Sequence, residues 1–310
     1  MSEKSLLTKK TVVLPLTLLC CLLWGSAFPC IKLGYGYSQI SSADTYSQIF
    51  YAGLRFTLAG IFAVIIGSLI AGRPLLPKKT SLTKVFALSL FQTVLQYTFF
   101  YIGLARSTGM KSSVITASNV FLSIIVASLV FRTEKLTVRK IAGCIVGFSG
   151  VVLINLGGIG GGFRITGEGF VFLSALSYAF SAALTKRFSA KEDPVMLSGW
   201  QFIFGGVGMT AFGAALGGRM PVVNPSGVFM LIYLAIVSAA AFSIWSTLLK
   251  HNPVSTVSVF GFMNPVFGVI LSFVLLSERS AAGPIKVTAA LILVAAGIII
   301  VNFPRKNRVF

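Results

Sequence analysis

The sequence predicts an all-α integral membrane protein of ten transmembrane helices, arranged as two inverted repeats of five helices. Three observations predict this fold class. Of the 310 residues, 55% are hydrophobic and only 11% are charged, whereas a soluble chain carries about 25% charged residues. Apolar segments long enough to cross a membrane follow one another along the chain. The stretch FLSIIVASLVFRTEK (121–135) also returns as PVFGVILSFVLLSER (265–279).

The predicted spans are joined by short loops, and each is close to the ~20 residues that cross ~30 Å of hydrocarbon. The start of the chain is basic, like a signal peptide. The apolar region nevertheless continues to about Gly34 without a small-residue cleavage site, so we expect an uncleaved first span. The ten spans are 12–34, 48–72, 82–104, 109–131, 138–156, 167–187, 194–216, 226–249, 253–276 and 283–303.

The two halves of the chain correspond beyond the repeated stretch. GLRFTLAG (53–60) matches GWQFIFGG (199–206). Because five is an odd number of spans, the second copy must enter the membrane from the opposite side. We therefore predict a first repeat over residues 1–156, a glycine-rich linker over 157–166 and a second repeat over 167–310. Inverted repeats with a site between them are typical of secondary transporters.

The net charge of +19 is unevenly distributed. Most of the 26 Lys and Arg lie in the N-terminal arm, in alternate loops and in the C-terminal tail. Such an excess marks the cytoplasmic side of a membrane protein. We therefore expect an integral protein of the bacterial inner (plasma) membrane with both termini in the cytoplasm. The charge is a topology signal, and no nucleic-acid partner is expected.

The cysteines and the histidine give no sign of a metal or catalytic centre. Cys20, Cys21, Cys30 and Cys144 lie within spans and lack C-x-x-C spacing, and His251 is the only histidine. Neither a disulfide framework nor a zinc site is indicated. A membrane enzyme would need clustered His, Asp or Glu, and the sequence has no such cluster. We expect no metal, no cofactor and no enzymatic activity.

Several features together resemble a known transporter family. They are the early LLWGSAF (22–28), the proline-to-glutamate spacing over 265–278, the glycine-rich fifth and tenth spans, and the five-plus-five arrangement. Over essentially the whole chain they resemble the drug/metabolite transporter (DMT) superfamily, EamA type. The resemblance implies alternating-access transport, often outward, of small metabolites, amino acids or drugs. No span has a central carboxylate, on which proton-coupled exporters of cationic drugs rely, so cationic drugs are disfavoured.

Two glutamates end the repeated stretch. Glu134 and Glu278 each follow a span, beside a basic residue and just before the next helix. Carboxylates within membranes can relay protons, but a carboxylate in this position can also cap the following helix N-terminus. Inverted symmetry places the two on opposite membrane faces, so they cannot share one proton site. We interpret both as structural helix-end residues.

Polar side chains inside the spans are candidate substrate contacts. Arg55 in the second span corresponds to neutral Gln201, so the repeat alone does not demand its charge. The guanidinium either extends to the membrane surface or binds a substrate carboxylate. Gln92 and Gln96 are four residues apart and share one helix face. Their amides bond either neighbouring helices or the substrate.

Asn119 in the fourth span and Asn264 in the ninth have the same two interpretations. Pro265 follows Asn264 and lacks a backbone donor, which can free a carbonyl near the site. The first repeat has Phe121 at the equivalent position. We therefore expect a helix kink at this place in one half only.

Two pairs of aromatic residues correspond across the repeat: Trp24 with Tyr178, and Tyr101 with Trp245. An interfacial aromatic belt accounts for such positions. The functional alternative places Trp24 and Tyr178 beside the substrate. In that alternative Tyr101 and Trp245 are gates at the two ends of a central cavity.

These observations predict a secondary transporter that moves a small polar or amphipathic metabolite, such as an amino acid, outward by alternating access, with one inverted repeat rocking against the other. Its expected partners are the small-molecule substrate and the lipid bilayer, and it would act as a monomer or a homodimer. Two alternatives remain open. One is a non-transporting membrane protein, such as a receptor or an assembly subunit, and the other is a lipid flippase.

Overall fold

The computed structural model describes residues 6–41, 43–107, 109–155, 163–220, 222–276 and 284–303, and every regular element in these ranges is helical. Eight of the described helices are long and apolar enough to cross a membrane. Two further helices, α4 and α5, occupy the fourth and fifth predicted spans. This confirms the predicted all-α membrane fold. The helices are α1 Lys10–Tyr37, α2 Thr45–Ala71, α3 Lys79–Leu104, α4 Gly109–Ala117 with Asn119–Ile125, α5 Val138–Asn155, α6 Ile165–Phe188, α7 Pro194–Ala215, α8 Pro225–His251, α9 Val254–Ser258 with Met263–Leu276, and α10 Pro284–Asn302.

The start of the first helix and the end of the last helix lie on one side of the molecule. The Lys10 ammonium, at the start of α1, donates a hydrogen bond of 3.0 Å to the backbone oxygen of Asn302, at the end of α10. This side is named the terminal side, and the other is named the distal side. Helices α2, α4, α6, α8 and α10 begin on the distal side.

Helix packing follows the inverted repeat. Helix α1 packs on α8 and α9, and its counterpart α6 packs on α3 and α4. The equivalent helices α2 and α7 pack on each other, as do α5 and α10. Each helix therefore has its principal partner in the other half. The two halves interlock and are not two separate bundles.

Glycines bring α2 and α7 into backbone contact. Gly53 lies against Gly206 and Gly60 lies against Gly199, and the repeat exchanges these two pairs. A Cβ atom on Gly60 would clash with the carbonyl oxygen of Gly199, and one on Gly206 would clash with the backbone nitrogen of Thr57. Only a residue without a side chain permits so close a crossing.

Helices α4 and α9 are interrupted at equivalent positions. Helix α4 is broken at Ser118, and α9 contains a 3₁₀ turn at Val259–Phe262. Ser118 corresponds to Phe262 in the aligned repeats. The expectation of a kink in one half only is wrong, because α4 breaks without a proline. There the Ser118 hydroxyl bonds the carbonyl of Ile115 at 2.5 Å, a local contact that competes with the helix ladder.

Candidate substrate-binding site

A continuous row of aromatic rings crosses the centre of the bundle and joins α8, α1, α7, α2 and α3. Neighbouring ring centroids are 4.3 to 6.5 Å apart. The row is named the aromatic column. Its members, in spatial order, are Trp245, Trp24, Phe242, Phe202, Phe56, Tyr97 and Tyr101.

The two residues predicted as gates form the ends of the aromatic column. Trp245 is 2% exposed and Tyr101 is 4% exposed, so neither ring occupies the exposed position of an interfacial belt. Trp24 lies next to Trp245, with ring centroids 4.9 Å apart. Tyr178, the repeat counterpart of Trp24, is half-buried against the same apolar core as Trp245. The structure therefore brings Trp24, Tyr178 and Trp245 into one neighbourhood, and Tyr101 lies apart from them.

Arg55 is buried beside the aromatic column, with 4% of its surface exposed. Its Nε and Nη2 atoms donate to the hydroxyl oxygen of Ser238 at 3.2 and 2.9 Å. The guanidinium also lies 5.0 Å from the ring centroid of Phe56. At ~1.5 Å per residue, Arg55 is about 15 Å along α2 from the distal side and Ser238 about 20 Å along α8. The side chain therefore points toward the middle of the membrane and away from the nearer surface.

The repeat counterpart of Arg55 makes an equivalent bridge without a charge. Thr93 on α3 donates a hydrogen bond of 2.7 Å to Oε1 of Gln201 on α7, and Gln201 is fully buried. Because α3 and α8 are equivalent, the two halves build the same type of link, from the second helix of a repeat to the third helix of the other. Sequence comparison paired Arg55 with Gln201 but missed Ser238 and Thr93, since serines and threonines are too common in the spans to single out.

The surroundings of Arg55 are rich in hydroxyl groups. The described ion pairs are Lys84 with Glu192 and Lys140 with Glu134, and among the described residues no carboxylate pairs with Arg55. Four tyrosines lie around it: Tyr51 is one helical turn away on α2, Tyr35 packs on Tyr51, Tyr97 packs on Phe56, and Tyr101 packs on Tyr97. Arg55 and these four residues are named the arginine–tyrosine cluster.

Three other predicted contacts have buried polar atoms that lack a hydrogen-bond partner within the described residues. They are Nε1 of Trp24, Oε1 of Gln96 and Oδ1 of Asn264. Gln96 directly follows a π-helical segment of α3, Ser89–Leu95, and π-helical turns are rare and frequent at functional sites. These atoms are expected to bind a ligand or water, because an unsatisfied buried donor or acceptor costs about 1–3 kcal/mol of stability.

The remaining polar candidates lie near the irregular parts of the helices. Gln92 lies inside the π-helical segment and is buried. Asn119 directly follows the break in α4 and faces Gly261 in the 3₁₀ turn of α9. Half-buried Pro265 lies three residues after that turn. The two breaks therefore meet, and they bring Asn119 close to the segment that carries Asn264 and Pro265.

Glu134 connects α4 to the start of α9 on the terminal side. Its carboxylate accepts hydrogen bonds from the backbone nitrogen of Ser255 at 3.0 Å and from the Ser255 hydroxyl at 2.8 Å. It also forms an ion pair of 3.2 Å with Lys140 on α5. Glu134 therefore caps the N-terminus of α9, in the other half of the chain. The sequence had suggested the next helix, α5. Glu278 lies outside the described residues.

A lateral cleft of about 480 Å³ lies between α4, α5 and α10. Its lining is almost entirely apolar and includes Phe121, Phe148 and Leu293. The cleft lies away from the aromatic column, and none of the candidate polar residues lines it. Its polar side chain among these residues is Ser149, so it offers a single hydroxyl group to a polar substrate.

An interlocked bundle of inverted repeats, with broken helices and buried polar groups at its centre, is the class of fold found in membrane transporters. The EamA-like transporter family matches residues 12–156 and 165–303. The chain therefore belongs to the EamA-like transporter family, within the DMT superfamily.

Individual relatives support the same class. An uncharacterized transporter of Archaeoglobus fulgidus is 30% identical over 89% of this chain and 94% of its own length. The uncharacterized transporter YvbV of Bacillus subtilis is 24% identical over 92% of this chain and 90% of its own length. The chloroplastic WAT1-related protein At3g02690 of Arabidopsis thaliana is 26% identical over 83% of this chain and 63% of its own length. A solved protein structure superposes with a TM-score of 0.76 at 18% identity, covering 95% of this chain and 97% of its own, and shows the fold alone. The protein is a membrane transporter.

Proposed function

We propose that the protein is a secondary transporter that carries a small polar or amphipathic metabolite, such as an amino acid, outward by alternating access. The observation that carries this proposal is the set of buried, unsatisfied polar atoms on Trp24, Gln96 and Asn264. Each would be costly in a purely structural core. A bound polar solute would supply the missing hydrogen bonds, with Gln92, Asn119, Tyr178 and Pro265 completing the site.

The interlocked packing suggests which parts move. Because each helix packs mainly on the other half, the moving units are not the sequence repeats themselves. One unit combines α1 with α8 and α9, and the other combines α6 with α3 and α4. The glycine crossing of α2 and α7 provides a close contact about which the two units rock. We expect Tyr101 and Trp245, the first and last members of the aromatic column, to act as gates.

Polar contacts on the terminal side of the bundle fit such a cycle. There the Glu134 carboxylate accepts a hydrogen bond from the Ser255 hydroxyl. The Lys186 ammonium donates to the backbone oxygen of Lys250 at 3.0 Å. Both bonds join helices of different units, so opening the terminal side would require them to break. On the distal side, the Ser107 hydroxyl donates to Glu168 at 3.0 Å and joins α3 to α6 within one unit.

Counterflow in proteoliposomes tests the proposal. Purified protein is reconstituted and loaded with each of a panel of amino acids, nucleosides, sugars and organic anions, and uptake of the labelled compound is measured. We expect saturable counterflow for at least one compound, reduced at least tenfold by Asn264→Leu. The matched control Ser149→Ala, on the lateral cleft, should leave it unchanged. Absence of counterflow for the whole panel would overturn the transport proposal.

A second candidate is a lipid flippase, which the lateral apolar cleft favours because it could accept an acyl chain. In that case fluorescent phospholipid would redistribute between leaflets of the same proteoliposomes. Free head-group compounds would then inhibit counterflow by competing for the site.

A further inference from the structure

Arg55 carries a buried charge that transport of an unspecified metabolite does not explain. The side chain is 4% exposed, and its hydrogen-bond acceptor among the described residues is the neutral hydroxyl of Ser238. A buried guanidinium is costly unless a negative charge compensates it. The phenyl ring of Phe56 provides a weak cation–π contact, which does not neutralise the charge.

The fold itself does not require a positive charge at this position. Gln201 occupies the equivalent position in the second repeat and makes the equivalent bridge to Thr93. A neutral side chain therefore suffices to link the two helices. The two links differ in hydrogen-bond direction, since Arg55 donates and Gln201 accepts, and in the charge of Arg55. The charge needs another cause.

The bond geometry is that of a contact to an anion. Nε and Nη2 are the two donors on one edge of the guanidinium, and here both converge on one hydroxyl oxygen. A carboxylate offers two oxygens to that same edge, and the paired contact is stronger and more specific. Ser238 therefore holds the place that one carboxylate oxygen would take.

The neighbouring tyrosines supply further donors. Tyr51 is only 1% exposed. Its hydroxyl group is buried and has no hydrogen-bond partner within the described residues. Tyr35 packs against Tyr51, and Tyr97 and Tyr101 follow Phe56 in the aromatic column. One cation with several phenolic donors around it is the chemistry of an anion site. The adjoining aromatic column would accept the apolar part of the same molecule.

We propose that Arg55 binds the carboxylate of the transported metabolite, so that the substrates are small carboxylic acids, amino acids included, with an apolar side group. This inference rests on the proposed transport function. On binding, the carboxylate replaces Ser238 on the guanidinium edge and accepts a hydrogen bond from Tyr51. Neutral amides, sugars and nucleosides lack the group that compensates the charge.

Binding to the wild-type protein provides the first test. Thermal unfolding of the detergent-purified full chain is measured with matched pairs of compounds: phenylalanine with phenylalaninamide, and 3-phenylpropionate with 3-phenylpropanol. We expect at least one acid to raise the melting temperature at a concentration at which its neutral or amide partner does not. Equal shifts for acid and partner in both pairs, or no shift with either acid, would overturn the inference.

Variants provide the second test. Arg55→Gln, which copies Gln201, should abolish the acid-dependent shift and lower counterflow of that acid at least tenfold, whereas Arg55→Lys should retain part of both. The matched control Ser243→Ala, on the same helix as Ser238 and outside the Arg55 contacts, should keep the acid-dependent shift. A normal acid response in Arg55→Gln overturns the inference. If Arg55→Gln does not fold, Tyr51→Phe should weaken the acid response severalfold, and an unchanged response overturns the inference.

The two proposals fail in different ways. Saturable counterflow of a neutral or cationic compound that is insensitive to Arg55→Gln would overturn the carboxylate site and leave the transport function intact. Absence of counterflow for every compound would overturn the transport function itself.

Discussion

Arg55 is a charged side chain inside the bundle, and its hydrogen-bond acceptor among the described residues is the Ser238 hydroxyl, so this one partner dominates the local energetics. The Ser238 hydroxyl accepts both bonds from Arg55 and donates its own to the Leu234 carbonyl at 3.0 Å. A hydrogen bond to a charged group is worth about 1.5–3 kcal/mol. Removing the hydroxyl would leave the guanidinium without its described acceptor.

Ser238→Ala should therefore lower the free energy of unfolding by about 1.5–3 kcal/mol. Thermal or chemical unfolding of the purified protein in detergent measures this change. The matched variant is Ser243→Ala on the same helix, which should change stability by less than about 0.5 kcal/mol. Equal effects of the two variants would show that Ser238 does not hold Arg55.

Glu192, in the turn between α6 and α7, should make stability depend on pH. Partial burial acts to raise the pKa of Glu192. The bonds from Lys84 and Ser81 and the charges of Lys84 and Lys78 outweigh it, so the pKa is lowered overall. A lowered pKa gives stability that is present above the ordinary glutamate pKa of ~4.3 and is lost as the pH falls through the lower folded-state value.

Glu192→Gln should thus destabilise the protein at pH 7 by up to about 1 kcal/mol, and the difference from wild type should vanish as the pH falls below ~4. Melting temperatures measured across this pH range check the prediction. Lys84→Gln should lose a similar pH-dependent contribution to the free energy of unfolding. A difference that stays constant down to the lowest pH would contradict the assignment.

Among the helices, α4 and α9 combine regular and irregular segments at the places where polar candidates lie. Pro265 cannot donate to the carbonyl of Gly261, one turn earlier, and a proline inside a helix costs about 3 kcal/mol. The 3₁₀ turn at Val259–Phe262 ends three residues before it. In α4, the break at Ser118 produces the equivalent irregularity by a hydroxyl-to-carbonyl bond. Irregular backbone is thus built twice, by different chemistry.

Pro265→Ala should restore a regular α9, raise stability by as much as about 3 kcal/mol and lower counterflow at least tenfold. Unfolding in detergent and flux in proteoliposomes measure the two effects on one preparation. Pro15→Ala, an exposed proline within α1, is the matched control. It should also stabilise its helix and leave flux unchanged. Equal flux in both variants would remove the break in α9 from the mechanism.

The crossing of α2 and α7 depends on glycine. Gly206→Ala would place a methyl group against the backbone nitrogen of Thr57. It should therefore destabilise the protein by about 1–3 kcal/mol or more, as overpacking does. Gly36→Ala is the same substitution at a position with nothing within 4 Å of the added carbon, and it should be neutral or slightly stabilising. Melting temperatures of the two variants compare them directly.

For the molecule as a whole, sequence patterns predicted the helices and their inverted order because hydropathy and helix length are local properties. They could not predict which helix each residue meets. Glu134 was expected to cap the helix after it, and it caps α9. The break in α4 was missed, since Ser118 carries no proline signal. The partners of Arg55 and Gln201 come from the other half, and no local pattern predicts contacts between distant helices.

The proposed alternating access involves the whole molecule and requires the site to open to each side of the membrane in turn. In a background in which the buried cysteines Cys20, Cys21, Cys30 and Cys144 are alanine, a thiol at Asn264→Cys should react with a membrane-impermeant maleimide applied from either side. A packing residue would be reached from neither side. The tightly packed Ser174, 3% exposed, changed to cysteine provides that control.

Locking one side makes the test directional. Glu134 and Ser255 touch on the terminal side, so a short thiol cross-linker between Glu134→Cys and Ser255→Cys would hold that side closed. Because opening requires this contact to separate, the cross-link should abolish labelling of the thiol at position 264 from the terminal side and stop counterflow. It should leave labelling from the distal side intact or increase it. Loss of labelling from both sides, or from neither, would contradict a site that opens to one side at a time.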